Sequence, residues 1–186
     1  ADLNNNDVPD EDEYVTLTFE SAYGFEEGDS PYVINNQVPG LAFPAAPTPV
    51  DTDSDNVVFV GWSPELDTTV PGDDKTYVAQ YKADLNNDGK DDETQYVDLT
   101  FESAYGFDGD IASPYLMEDQ VPGLDFQAPT PHEEENDDVV FVGWDNGLDK
   151  SGAGTVPEND TKYTAQYKAD LNNNDVPDED EYVTLT

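Results

Sequence analysis

The stretch Val15-Thr-Leu-Thr-Phe19 alternates apolar and polar residues, and the pattern returns 82 residues later as Val97-Asp-Leu-Thr-Phe101. A period of two puts one set of side chains on one face, which is typical of a half-buried β-strand. Each copy also contains a denser apolar run, Val57-Val-Phe-Val-Gly-Trp62 and Val139-Val-Phe-Val-Gly-Trp144. Its β-branched residues predict a central strand. The chain is therefore predicted to be mainly β.

Each copy closes on a further predicted strand, at 77–81 in the first and 163–167 in the second. Between the first two predicted strands lies a proline-rich stretch, from Pro31 to Pro49. Proline fixes φ and lacks a backbone N–H, so a long helix there is improbable. A short helical turn near 30–32 stays open.

The chain is built from repeats. Residues 1–18 recur unchanged as 169–186, and a variant of the same opening starts at Ala83. The second copy carries four extra residues near Ser151-Gly-Ala-Gly154. This gives one repeat over 1–82, a second over 83–168 and the start of a third, which indicates a longer array.

Composition excludes several classes of function. The 186 residues include 44 acidic residues against 6 lysines, for a net charge of −38. A chain this acidic has no surface for a phosphate backbone, so nucleic-acid binding is excluded. No apolar run is long enough to span a membrane. There is no cysteine and one histidine, and acidic pairs are too abundant to single out a catalytic pair, so we expect no enzyme activity.

Five short segments of 14–82 form a recognisable pattern that returns in the second copy. In the first copy they are Val15-Thr-Leu-Thr-Phe19, Val38-Pro-Gly40, Pro47-Thr-Pro49, Phe59-Val-Gly-Trp62 and Tyr77-Val-Ala-Gln-Tyr-Lys82. The pattern resembles the Listeria–Bacteroides repeat family, the internalin B-repeats. The resemblance implies small β-grasp-like modules in an elongated tandem array. It also implies a bacterial cell-surface protein that serves as a stalk or adhesive spacer, without catalytic residues.

Two further features of the repeats carry expectations. Trp62 and Trp144 are predicted to be core aromatics, and Gly61 and Gly143 are predicted to let a neighbouring chain approach. The lysines that end the modules, Lys82 and Lys168, are expected to be surface or ion-pair lysines rather than partners in isopeptide bonds.

The segments between the modules match a calcium-loop pattern, D-x-[DN]-x-[DN]-G, in which alternate residues turn oxygens toward a hard cation. In the middle loop the predicted ligands are Asp84, Asn86, Asp88, Lys90 through its carbonyl, Asp92 and Gln95. In the first they are Asp2, Asn4, Asn6, Val8 through its carbonyl, Asp10 and Glu13. In the third they are Asp170, Asn172, Asn174, Val176 through its carbonyl, Asp178 and Glu181.

The outer loops replace the turn glycine with Asp7 and Asp175, which is tolerable because Asp visits positive φ more readily than most residues. The loops resemble dockerin and thrombospondin type-3 calcium loops rather than a true EF-hand, since no amphipathic helix flanks them. The alternative is that they are solvated linkers. A fourth acidic alternation, at Asp51, Asp53 and Asp55, is interpreted as a solvated loop because its counterpart at 133–138 loses the pattern.

These boundaries give calcium-loop linkers at 1–13, 83–95 and 169–181, β modules at 14–82 and 96–168, and the first strand of a third repeat at 182–186. The sequence predicts a structural segment of an extracellular or cell-surface protein, a stalk or fibre made rigid by calcium at its joints. The last strand could pair with a neighbouring molecule and build a filament. Two alternatives remain, an adhesive ligand-binding module and a halophile surface protein.

Overall fold

The secondary structure consists of strands and short 3-10 turns. The computed structural model describes residues 1–51, 56–133 and 138–181, and within these ranges there is no α-helix. Part of the predicted acidic alternation, at Asp53 and Asp55, lies outside the described residues, as do most of its counterpart and the strand at 182–186. The described part confirms the mainly β class. The chain divides into two units, Ala1–Asp91 and Asp92–Thr186.

The first unit contains one four-stranded sheet. Its strands are β1 (Val15–Glu20), β2 (Tyr32–Gln37), β3 (Val57–Ser63) and β4 (Lys75–Ala83). They lie in the order β2-β1-β4-β3. The first and last strands pair in parallel at the centre, with Leu17 opposite Lys75 and Phe19 opposite Tyr77, and both outer pairs are antiparallel.

The second unit repeats this sheet and adds a ribbon. Its strands are β5 (Val97–Glu102), β6 (Tyr115–Gln120), β7 (Asp125–Gln127), β8 (Val139–Trp144), β9 (Ala153–Thr155) and β10 (Thr161–Ala169). The sheet order is β6-β5-β10-β8, and β7 pairs with β9 in a separate two-stranded sheet. The four extra residues of the second copy supply most of β9.

The prediction that the densest apolar runs form central strands is wrong. They form β3 and β8, which lie at the edges of their sheets. The centre is taken by β1 with β4, and by β5 with β10. A β-branched run indicates that a strand packs against other side chains. An edge strand with one face on the core does so as well as a central strand, so the run does not distinguish the two positions.

Two kinds of strand are not predicted by the sequence pattern. Tyr32–Gln37 (β2) is a strand, whereas the sequence predicts at most a short helical turn at its start, and the polar end of β2 does not alternate cleanly. No proline falls inside β2, because Pro31 precedes it and Pro39 follows it. The ribbon strands β7 and β9 have three residues each, too few for periodicity to register.

The core of each unit is an aromatic cluster on its sheet. In the first unit Leu17, Phe19, Phe25 and Tyr77 are buried, and the Phe19 and Tyr77 rings stack 5.3 Å apart. The second unit's cluster is larger and includes Phe126, Leu148 and Val156 from around the added ribbon. Trp144 is buried as predicted, whereas Trp62 is half-buried and packs against the first cluster.

Gly61 and Gly143 serve backbone conformation rather than close approach. Gly61 has φ +142° and lies where the register of β3 and β4 shifts. A Cβ there would meet nothing within 4 Å, and at Gly143 the nearest atom would be the Lys150 nitrogen at 3.9 Å. The prediction that a neighbouring chain approaches these glycines is therefore wrong. Glycine is needed because other residues rarely adopt this φ.

The first unit contains an acid-sensitive contact. Asp67 accepts hydrogen bonds from Lys75 Nζ at 2.6 Å and from the Tyr77 hydroxyl at 2.5 Å. The bond from Lys75, with the bond from Tyr77, holds the pKa of Asp67 below its usual range. Burial and the same carboxylate raise the pKa of Tyr77.

Because the folded pKa of Asp67 is lowered, its contribution to stability is present above the unfolded pKa of about 3.9 and is lost as pH falls through the folded value. We expect Asp67→Asn to lower the melting temperature at pH 6. The difference in melting temperature between this variant and the unmodified protein should shrink as pH falls to 3. Thermal melts across this range test it. Asp73 is an exposed acid of the same unit, and Asp73→Asn should melt within error of the unmodified protein at every pH. If the melting temperature of Asp67→Asn stays below that of the unmodified protein by the same amount at every pH, the assignment is contradicted.

Candidate calcium loops

Each loop is closed by the aspartate at its first position. In the third loop the Asp170 carboxylate accepts hydrogen bonds from the backbone N–H groups of Asn174 at 3.1 Å and Asp175 at 2.8 Å. The other loops repeat this closure, with Asp2 bound by Asn6 and Asp7, and Asp84 bound by Asp88 and Gly89. The sixth residue needs positive φ for this turn, and Asp7, Gly89 and Asp175 have φ of 65°, 79° and 63°. The prediction that Asp can replace Gly here is confirmed.

The twelfth position converges on the third and fifth in both outer loops. Glu13 accepts hydrogen bonds from the side-chain amides of Asn4 at 2.6 Å and Asn6 at 2.7 Å. Glu181 accepts the equivalent bonds from Asn172 at 2.9 Å and Asn174 at 2.6 Å. Residues seven and nine apart in sequence thus meet at one point, as the calcium-loop pattern requires.

The ninth position folds back on the start of the loop. Asp10 is 2% exposed, and its carboxylate accepts a hydrogen bond from the backbone N–H of Leu3 at 2.8 Å. The third loop has the same bond, from Leu171 to Asp178, at 3.2 Å. A 3-10 turn begins at each of these aspartates and leads the chain to the glutamate at the twelfth position. At the seventh position the N–H groups of Val8 and Val176 donate to the fifth-position Asn side chains.

The middle loop is divided between the two units. Asp84, Asn86, Asp88 and Lys90 belong to the first unit, where the Lys90 N–H donates to Asp88 Oδ1 at 3.0 Å and its ammonium pairs with the same carboxylate. Asp92 and Gln95 belong to the second unit, where a 3-10 turn covers Asp92–Thr94 and the Gln95 N–H donates to the Asp92 carbonyl.

The donor set suits a hard cation. The predicted ligands offer carboxylate, amide and carbonyl oxygens, which calcium prefers, and no thiolate or imidazole. Within the described ranges no three acidic or histidine side chains already lie together as a metal-holding group. The Asn4 and Asn6 amides point their N–H groups at Glu13. Turning each amide over would present its oxygen instead. The turn would give up the bond from Asn4 to the Pro39 carbonyl and the bond from the Val8 N–H to Asn6.

The loops are also fixed to the modules. The Lys168 ammonium, at the end of β10, pairs with Glu179 in the third loop, which raises the pKa of Lys168. Lys82, near the end of β4, pairs with Asp91 at 2.6 Å. Both are ion-pair lysines, as predicted. The Asn4 side chain donates to the Pro39 carbonyl of the module that follows, at 3.0 Å. No local sequence signal marks Pro39 as an anchor, because the contact spans 35 residues.

No known family matches the chain, and no curated protein matches it. Within the residues described, no helix is long and apolar enough to cross a membrane. Among solved structures, the chain is similar to domains 3–4 of the Streptococcal High Identity Repeats in Tandem (SHIRT) from a cell surface protein. That similarity covers 83% of this chain and 98% of the other, at 14% identity and a TM-score of 0.35, values at which it supports no conclusion about fold or function.

Proposed function

We propose that the protein is a structural segment of a repetitive extracellular or cell-surface protein, whose β modules are held in register by calcium bound at the linker loops. Its family would be that of the Listeria–Bacteroides repeats, and the strand at 182–186 would pair with a neighbouring repeat. The observation that carries the proposal is the convergence of the third, fifth and twelfth positions in both outer loops. The two loops have the same sequence, so the evidence against a solvated linker is the convergence itself: a solvated linker would project these carboxylate and amide groups into water.

The anchoring contacts explain how bound calcium would act on a joint. The middle and third loops are tied to the preceding modules by the ion pairs of Lys82 and Lys168. These ion pairs would transmit the shape of each loop to a folded domain. Without a cation, the carboxylates of one loop repel one another. A cation that binds only the closed loop stabilises that form by mass action, so the rigidity of the array would follow calcium concentration.

The test is a pair of thermal melts, one in calcium and one in chelator. A site with a Kd of about 1 mM in about 5 mM calcium stabilises the closed form by about 1 kcal/mol. We therefore expect a melting temperature several degrees higher in calcium, together with calcium uptake by isothermal titration. Magnesium at equal ionic strength should shift the melt less, because it dehydrates reluctantly and demands a tighter octahedron.

Matched variants assign the uptake to the loops. Glu13→Gln and Glu181→Gln keep the shape of the twelfth ligand and remove its charge, so each should lower calcium uptake by one equivalent. Glu158→Gln, an exposed acid outside the loops, should bind as much calcium as the unmodified protein. Equal uptake in all four proteins, or identical melts in calcium and chelator, would falsify the proposal. A melt that responds to sodium chloride and ignores chelator would favour the halophile alternative.

A further inference from the structure

The second module contains a small cavity that the proposed function does not use. Its volume is about 180 Å³, and its apolar walls include Phe141, Trp144, Pro129 and Pro131. Phe141 is 4% exposed and Trp144 is 7% exposed, so the aromatic part of the wall is buried. A cavity of about 150 Å³ is known to accommodate benzene. This cavity therefore has room for a single ring.

Two opposite charges border the cavity without pairing with each other. Lys150 and Glu133 both line it, and both are exposed. Five of the six lysines form ion pairs with carboxylates, and Lys150 is the exception among the residues that the structure describes. Its ammonium lies 5.9 Å from the centre of the Phe141 ring instead. Glu133 accepts a hydrogen bond from the Phe141 N–H.

The wall also holds an unsatisfied donor. The Trp144 indole Nε1 is buried, and no described residue accepts a hydrogen bond from it. A buried donor without a partner destabilises a structure unless something supplies an acceptor. Of the two donors, Lys150 and this N–H, only the Lys150 ammonium is exposed to a ligand's acceptor oxygen.

The first module lacks most of these features, although it shares the fold. Asp51 occupies the position of Glu133 and accepts a hydrogen bond from the Phe59 N–H at 3.3 Å. Thr68, however, stands where the second module has Lys150, and the four extra residues are absent. Trp62 is only half-buried. Lys150 and the four extra residues are thus specific to the second module.

We infer that this cavity binds a small zwitterion with an apolar ring, an aromatic α-amino acid. The ring lies against Phe141 and Trp144. The ligand's carboxylate pairs with Lys150, and its ammonium pairs with Glu133. A purely anionic ligand would leave Glu133 repelled, and a purely cationic one would leave Lys150 unpaired.

The experiment uses the full chain labelled with nitrogen-15 and L-phenylalanine as the probe. The protein has two indole N–H signals, and Trp62→Phe assigns them. We expect the Trp144 signal to shift on titration with a dissociation constant on the order of 1 mM, as suits so small a ligand. The Trp62 signal serves as the internal control and should stay in place. Hydrocinnamate, which lacks the ammonium, and phenethylamine, which lacks the carboxylate, should each bind at least about tenfold more weakly.

Lys150→Thr converts the position to that of the first module and should weaken phenylalanine binding by at least about tenfold, as expected for the loss of a charge-assisted contact. Lys162→Gln, at a lysine already paired with Glu102, should bind like the unmodified protein. The inference is overturned if the Trp144 signal does not move, if both indole signals move together, if hydrocinnamate binds as tightly as phenylalanine, or if Lys150→Thr binds unchanged. None of these outcomes depends on calcium, so the two proposals fail separately.

Discussion

Phe101→Ala is expected to destabilise the second unit by about 3 to 5 kcal/mol, the usual cost of removing a buried phenylalanine ring. Phe101 is 0% exposed. Its ring stacks on Tyr163 at 5.3 Å and meets the edge of Trp144 at 5.4 Å. The position lies on a central strand, so the cavity left behind is enclosed by strands that cannot collapse into it.

Equilibrium urea unfolding checks this result. In a Trp62→Phe background Trp144 is the one remaining tryptophan. Its fluorescence, excited at a wavelength that tyrosine does not absorb, reports the second unit. Leu116→Ala is the matched control, because Leu116 lies on β6 of the same sheet but is 46% exposed. The control should cost less than about 1 kcal/mol. Similar losses for the two variants would contradict the assignment of Phe101 to the core.

Gly154→Ala is expected to destabilise the second unit by about 2 kcal/mol through overpacking. A Cβ at Gly154 would lie 2.8 Å from Phe126 Cζ and 2.9 Å from Leu148 Cδ1. The Phe126 ring has little room to move, since it packs between Phe101 at 5.9 Å and Tyr163 at 5.8 Å. Gly154 is thus required for β9 to pack against the core.

The same urea experiment measures Gly154→Ala. Its control, Gly72→Ala in the first unit, is measured in a Trp144→Phe background, where Trp62 reports that unit. A Cβ at Gly72 would meet nothing within 4 Å, so that variant should unfold within about 0.5 kcal/mol of the unmodified protein. If Gly154→Ala proves as stable as Gly72→Ala, then β9 does not pack against Phe126 in solution.

The loops were the part of the site most open to prediction from sequence. Their ligands lie within 12 residues of one another, so spacing alone fixes which side chains can turn inward together. The closures at Asp2 and Asp170, and the return of Glu13 and Glu181, follow that spacing. The anchors at Pro39 and Glu179 could not be foreseen, because they depend on how a loop meets a folded module.

The amino-acid sequence by itself determined the repeat boundaries, the β class and the positions of the loops. These depend on local information: the alternation at Val15 to Phe19, the returning oxygen-bearing residues, and the exact recurrence of 1–18. Only the tertiary structure decided that β1 and β4 share the centre of the sheet and that Gly61 serves a bulge. It also decided that Ser151 and Gly152 of the extra segment line a cavity beside Lys150. Such features arise from pairing between segments distant in the chain, and local pattern carries no record of which distant segment a strand meets.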